Sequence, residues 1–330
     1  MNHPTVSIIM SVYNGENYLN TAIDSILNQS FTDFEFIVIN DSSSDTSKLI
    51  IQSYEDDRIV YLENEQNIGL AASLNKGIAI AKGKYIARMD DDDVAYPERL
   101  NRQISFLEEN PEVGVLGTYA KLIGDHKGIR KHSTNSEELK IRTLFSCQFC
   151  HPTVMMRKSV LDEHELNYNE EFKTAQDYEL WSRLMKYTNF STLPEILLDY
   201  RVHDKQVSCT KRQLQIDSTK HIYQKMISSL NLEFTEEKST LHRKVAGFQF
   251  SQAKQDIPNI GDYFQKLIEA NNELEVFPKH YFSVFLSEYF YNIIRNSNFS
   301  WKKKSSIYFR AGFNNYFKPQ FLKLKFVFNK

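Results

Sequence analysis

The chain has 330 residues, 41% of them hydrophobic and 13% aromatic, enough for one large core and a smaller one. Forty basic residues stand against 42 acidic ones, a net charge of -2, so the overall charge names no polyanionic partner such as nucleic acid. No apolar run approaches the roughly 20 residues of a membrane-spanning helix, and the opening MNHPTVSIIMSVYNGE lacks a secretory signal pattern. A cytoplasmic protein is expected, with its three cysteines reduced. Cys147-Gln-Phe-Cys150-His151 matches a haem-attachment pattern, but no export signal accompanies it and no second ligand pair suits zinc. Both cysteines therefore read as small apolar core or loop residues.

Thr5 to Val12 is a continuous apolar run of strand length, as in a strand buried on both faces. It breaks at Tyr13-Asn14-Gly15, and Leu19, Ala22, Ile23, Ile26 and Leu27 then follow at helical spacing. Phe34 to Asn40 repeats the strand signal and ends at Asp41 and a run of turn residues, with a helix expected from Thr46 to Tyr54. Ile59 to Leu62 is a third short strand. Asn67-Ile68-Gly69 opens another helical stretch, and Tyr85 to Met89 is the fourth strand. Such alternation predicts a parallel α/β sheet with crossover helices, and every strand ends in polar residues along one edge. No G-x-G-x-x-G or P-loop pattern follows the first strand, so phosphates must be held by other means.

The fourth strand runs into Asp90, Asp91, Asp92 and Asp93. Adjacent carboxylates repel one another unless a cation or solvent relieves the charge, and hard cations such as Mg²⁺ or Mn²⁺ prefer these oxygens. A solvated acidic turn is the plainer alternative. A calcium EF-hand fails, because Ala95 and Asn101 stand where Gly and Glu are required.

Pro97 to Asn110 reads as an amphipathic helix, Val113 to Ile123 as a strand with glycines, and His151 to Arg157 as another β-like stretch. A helix then starts near Lys173, with Thr174 as its cap and Asp177 in its first turn. A first-turn acid serves the helix dipole whatever else it does. Asp199 to Asp204 places Arg201 and His203 together after a strand-like ILLDY. Beyond about residue 210 glycine almost disappears, and Arg212 to Leu230, Thr240 to Ala253 and Lys279 to Arg295 have helical periodicity. The expected division is residues 1–210 as a catalytic domain and 211–330 as a helical domain. In the last thirty residues Lys302, Lys303, Lys304, Arg310, Lys318, Lys323 and Lys325 alternate with Trp301, Phe309, Phe313, Phe317, Phe321 and Phe326. That pattern suits an anionic membrane surface; packing on the first domain or single-stranded nucleic acid would also satisfy it.

Seven stretches in order, VSIIMSVYNGE, FIVINDSSSD, NIGLAASLNKG, YIARMDDDD, HPTVMMR, AQDYELWSRL and YRVHD, resemble the family 2 glycosyltransferases of the bacterial surface-polysaccharide kind. The resemblance implies a GT-A fold, a mostly parallel sheet with flanking helices, and a small helical C-terminal domain. It implies inverting transfer of one sugar from a nucleotide sugar, most often a UDP-sugar, to a glycan or lipid-linked glycan acceptor. The basic-aromatic tail would attach such an enzyme peripherally to the inner face of the cell membrane. Tyr13 would contact the uracil, and Asp41 would bond its edge. Glu16, Asn67, Arg88 and Asp91 would join them around the nucleotide, and Asp90 would face the ribose. Asp92, with His203, would hold Mn²⁺ or Mg²⁺, and Asp177 would be the catalytic base. Gln176 departs from the acid usual at that position, which leaves Asp177 with less upward pressure on its pKa. The Q-x-x-R-W motif of processive synthases is absent, so single addition is expected. A sugar-phosphate nucleotidyltransferase is the competing enzyme, but SVYNGEN is not its glycine-rich basic loop; a non-catalytic sugar-nucleotide or glycan-binding protein is the third reading.

Overall fold

A computed structural model describes residues 3–204, 206, 210–246, 256–297 and 299–313. β1 (Val6–Val12), β2 (Phe34–Asn40), β3 (Ile59–Glu63) and β4 (Tyr85–Met89) lie in the order β3-β2-β1-β4, and all three pairings are parallel. The crossovers are α1 (Leu19–Leu27), α2 (Ser47–Gln52) and α3 (Leu70–Ile80). β1, β2 and β4 are buried along their whole length, which is why they read as mainly apolar runs. α1 turns Leu19, Ala22, Ile23 and Ile26 into the same core. Full burial of one such aliphatic side chain contributes about 1.5–3 kcal/mol. Gly83 lets the chain enter β4, since a Cβ there would sit 2.4 Å from the Ser7 backbone nitrogen.

Past β4 the sheet turns mixed. β5 (Val94–Ala95), β6 (Val113–Gly124), β7 (Gly128–Arg130), β8 (Met155–Arg157) and β9 (Asn189–Val202) complete it, continuing from β4 in the order β8-β6-β9-β5 with β7 on β6. β8 is antiparallel to both β4 and β6, while β6 and β9 are parallel with register shifts near Tyr119. The expected β-like stretch HPTVMMR divides in two: a 3₁₀ turn over His151–Thr153, where Pro152 supplies no N–H, and only then β8. β5 has no apolar run to announce it. It exists because Val94 and Ala95 pair with Leu198 and Asp199 of β9, which pins the acidic run from its far side.

Of the remaining helices, α4 (Arg99–Glu109) begins two residues after Pro97, followed by α5 (Ser136–Thr143), α6 (Lys158–Glu163) and α7 (Gln176–Leu184). Thr174 does not cap α7. Ala175 holds the cap position in a left-handed conformation (φ 55°), and the Thr174 hydroxyl is hydrogen-bonded to that of Ser218 at 3.1 Å.

The chain divides into two compact units, Met1–Thr143 with Cys147–Thr219, and Leu144–Ser146 with Lys220–Lys330. The second is helical, over Glu236–Ala246, Ile257–Leu274, Lys279–Arg295 and Trp301–Arg310, with the helix Arg212–Ser228 crossing the division. At its centre the buried His242 ring stacks on Phe145, 5.1 Å away. Its two nitrogens are hydrogen-bonded to the Tyr263 hydroxyl and the Leu144 carbonyl, each at 2.8 Å. Tyr308 and Phe313 turn inward against Phe290, so part of the basic-aromatic stretch packs within its own unit. Lys302, Lys303 and Arg310 stay exposed. Lys318, Lys323, Lys325, Phe317, Phe321 and Phe326 lie outside the described residues. No described helix is long and apolar enough to cross a membrane.

Candidate active site

The C-terminal ends of four parallel strands converge where the chain carries its polar breaks, the edge at which ligands bind in open α/β sheets. The acidic run begins there. One oxygen each from Asp90, Asp92 and Asp93 lies within 4.8 Å of the others. Asp90 accepts from the Arg88 guanidinium, and Asp92 Oδ2 is hydrogen-bonded to His203 Nε2 at 3.0 Å. Asp93 Oδ1 accepts from the Arg201 backbone N–H at 2.7 Å, while its Oδ2 is buried with no partner. The fourth acid, Asp91, tucks under Gly15, where a Cβ would fall 2.4 Å from Asp91 Oδ2.

Burial pushes Asp91, Asp92 and Asp93 upward, reinforced by neighbouring carboxylates. Asp91 rises to about 8 and Asp93 stands well above the usual carboxylate range. Asp92 is raised by burial and by Asp90, against a lowering pull from His203. Two buried cations, Arg88 and Arg99, act electrostatically on these acids. Arg99 donates to the Arg88 carbonyl at 2.7 Å and to Gln103 at 3.1 Å, and burial holds it down at about 9 despite the nearby acids.

The nucleotide residues expected from the sequence fall into two groups. Tyr13 is 52% exposed and Asn67 is exposed, so both face solvent at the edge. The others brace the edge from within. Asp41 Oδ1 accepts from Asn64 Nδ2 (2.8 Å) and the Ile68 N–H (2.9 Å), and its Oδ2 accepts from the Gly69 N–H (2.9 Å). These bonds hold the loop that presents Asn67. Glu16 Oε2 accepts from the Thr46 N–H and hydroxyl, joining the loop after β1 to the one after β2. Asn14, at φ 56°, accepts from the Ser44 N–H at 2.8 Å in the same clasp. Arg88 is only 2% exposed; it meets Asp90 and the Ile9 carbonyl rather than the open edge, because β4 is covered on both faces. Its guanidinium holds Asp90.

Asp177 lies in the first turn of α7, half-buried, and burial raises its pKa. The Asp90 charge adds to that rise, and both Asp93 and Asp177 act on Cys150. Cys147 Sγ lies 3.5 Å from Asp177 Oδ2. The base candidate and the acid cluster thus share one electrostatic neighbourhood, although 84 residues separate Asp93 from Asp177 in the chain.

A family model, Glycosyl transferase family 2, matches residues 7–165. An uncharacterized glycosyltransferase of Haemophilus influenzae is 32% identical over 240 residues, covering 69% of this chain and 74% of that protein. This chain belongs to glycosyltransferase family 2. The O-antigen biosynthesis glycosyltransferase WbnJ of Escherichia coli is 33% identical over 207 residues, covering 61% of this chain and 80% of WbnJ. The crystal structure of S. aureus TarS 1-349 in complex with UDP-GlcNAc superimposes with a TM-score of 0.60 at 17% identity, covering 94% of this chain and 89% of that one. The overall architecture is the GT-A type expected from the motifs.

The donor set of this glycosyltransferase fits a hard divalent cation. Three carboxylates converge, and the buried Oδ2 of Asp93 lacks any other partner. The enzyme also has contacts that the sequence did not announce. Arg201 stacks over the Tyr18 ring at 4.1 Å and donates from Nε to the Asp92 carbonyl at 2.7 Å, so it fixes the acidic run by both backbone and side chain. Arg130 lies over Tyr200 at 4.6 Å. His151 Nε2 is hydrogen-bonded to the Tyr168 hydroxyl at 2.7 Å. Only the YRVHD motif hinted at the first of these.

Proposed function

We propose that this glycosyltransferase moves a single sugar from a nucleotide sugar, a UDP-sugar in the first instance, to a hydroxyl of a glycan or lipid-linked glycan in surface-polysaccharide synthesis, with inversion at the anomeric carbon. The observation that carries this reading is the convergence of Asp90, Asp92 and Asp93 beside a separate, pKa-raised Asp177. The UDP-GlcNAc held by TarS and the O-antigen role in the name of WbnJ support the choice of donor and product class.

Tyr13 offers an exposed ring for the uracil, and Asn67 is presented by the loop that Asp41 holds. Asp41 keeps acceptor capacity on Oδ2 for the edge of the base. Glu16 and Asp91 shape the loop beneath the nucleotide, and Arg88 aims Asp90 at the ribose. Asp92, Asp93 and His203 would hold Mn²⁺ or Mg²⁺, which when bound neutralises charge developing on the leaving diphosphate. Asp177 accepts the proton of the acceptor hydroxyl as that oxygen attacks the anomeric carbon, and the nucleoside diphosphate leaves from the opposite face. Burial suits it to this task, since a carboxylate with a raised pKa is a better proton acceptor.

Asp92→Ala is the direct test. UDP release from a UDP-sugar in the presence of Mn²⁺ should fall on the order of 10²–10³-fold, the scale for losing a charge-stabilising element; full activity would remove the metal assignment.

Membrane attachment rests on the exposed Lys302, Lys303 and Arg310. Removing the whole stretch would also strip Tyr308 and Phe313 from their packing, so reversing those three charges is the cleaner test. Loss of co-sedimentation with phosphatidylglycerol vesicles is expected, and unchanged sedimentation would refute the role.

A further inference from the structure

Cys147 and Asp177 are 30 residues apart in the chain and meet at 3.5 Å, sulfur to Oδ2. The same sulfur lies 3.5 Å from the Phe149 carbonyl oxygen. A thiol has one proton, so it can donate to only one of these acceptors at a time. Burial and the Asp177 charge keep the sulfur protonated, with a pKa well above that of a free cysteine. The thiol is therefore a donor with a choice, and the charge on Asp177 decides it, because an ionised acceptor binds a proton donor more strongly than a neutral carbonyl.

We propose that Cys147 is a positioning residue of sugar transfer, whose S–H bonds Asp177 while that carboxylate is ionised and turns to the Phe149 carbonyl once it has accepted the hydroxyl proton. The proposal rests on Asp177 being the base. No proton leaves sulfur in this exchange. The one that moves passes from the acceptor hydroxyl to Asp177, and the thiol only changes its acceptor. While the base is waiting, the bond fixes Oδ2 and leaves Oδ1 for the acceptor. After proton transfer, release of the thiol removes a bond that would otherwise favour the ionised form. The other titratable groups acting on this pair are Asp90 from the end of β4, Cys150 on the same loop, and Tyr168. None of them is hydrogen-bonded to Asp177 among the described residues.

Two measurements separate this proposal from the identity of the base. The first needs no substrate. The Raman S–H band of Cys147, isolated by subtracting the spectrum of Cys147→Ala or, if that variant fails to fold, Cys147→Ser, should move to higher frequency in Asp177→Asn. A neutral acceptor draws the proton less. The second is the acid limb of the pH profile for UDP release from a UDP-sugar with Mn²⁺. Cys147→Ala should shift it upward by about half a pH unit, the scale of one lost hydrogen bond, and Cys147→Ser should restore it. A band unmoved in Asp177→Asn, or an acid limb unmoved in Cys147→Ala, overturns the role of Cys147. If Asp177→Asn retains full transfer, the base assignment falls instead.

Discussion

The acidic edge and the His242 nest both bury ionisable side chains, and they do so in opposite ways. His242 is enclosed by Phe145, Tyr223, Phe234 and Tyr263, and each ring nitrogen has a partner, so burial holds it neutral at about 4. At the acidic edge like charges crowd together, Asp93 Oδ2 has no partner, and burial works against ionisation. A satisfied buried polar group is architecture. A crowded, unsatisfied one stores electrostatic strain that a ligand can relieve.

The sharpest way to break this contrast is Asp177→Asn. Transfer should drop on the order of 10²–10⁴-fold, the usual scale of general base catalysis, while donor binding by calorimetry stays near wild type. The same variant should be more stable at neutral pH, since a buried carboxylate with a raised pKa weakens folding once pH exceeds its unfolded value. A less stable Asp177→Asn protein would show the carboxylate to be structural.

His242→Ala tests the other side. Lost ring packing and two orphaned partners should lower unfolding free energy by about 2–5 kcal/mol in denaturant titration. An effect under 1 kcal/mol would mean that the nest is not a core.

The two regions also pull pH stability in opposite directions. His242 binds its proton only in the unfolded chain between pH 6.5 and about 4, so its contribution is lost as pH falls through that window, by up to about 3 kcal/mol. Asp91 stays protonated when folded up to about 8 but ionises near 3.9 when unfolded, so stability declines as pH rises between those values. The two windows overlap, so these contributions offset each other up to about pH 6.5, and melting temperature without metal should fall from there to about pH 8. Mn²⁺ should raise it more at pH 8 than at pH 6, because cation binding requires ionised carboxylates. Equal stabilisation at both would argue against a carboxylate site. The smallest effect is expected from Gly15→Ala, where Asp91 must turn away from the added methyl; a loss of about 1–3 kcal/mol would register that crowding.

Much of this edge was legible in the sequence. β1, β2 and β4 announce themselves because burial on both faces favours mainly apolar runs, and the acids follow at a strand end where a parallel sheet collects its ligands. What escaped depends on contacts between distant residues. β5 has two residues and no pattern; it is defined by its partner in β9. Cys147 carried no sign of Asp177, because a sulfur near a carboxylate leaves no periodicity behind. The helix Ile257–Leu274 has a weak signature because Gly261 and Asn271-Asn272 lower its helical propensity. Gly261 is there for packing, since a Cβ would lie 2.8 Å from that of Ala311 and 2.9 Å from the Phe290 ring.

Leu144 to Ser146 form a short detour: the backbone leaves one unit after Thr143, spends three residues in the other, and returns at Cys147. The Tyr223 hydroxyl and the His242 ring grip the carbonyls of Phe145 and Leu144 there. Severing the protein near residue 219 would therefore not liberate a tidy catalytic half. It would leave two naked apolar side chains and two bereft carbonyls immediately upstream of Cys147, whose sulfur lies 3.5 Å from Asp177, and such a fragment should be recovered as insoluble aggregate.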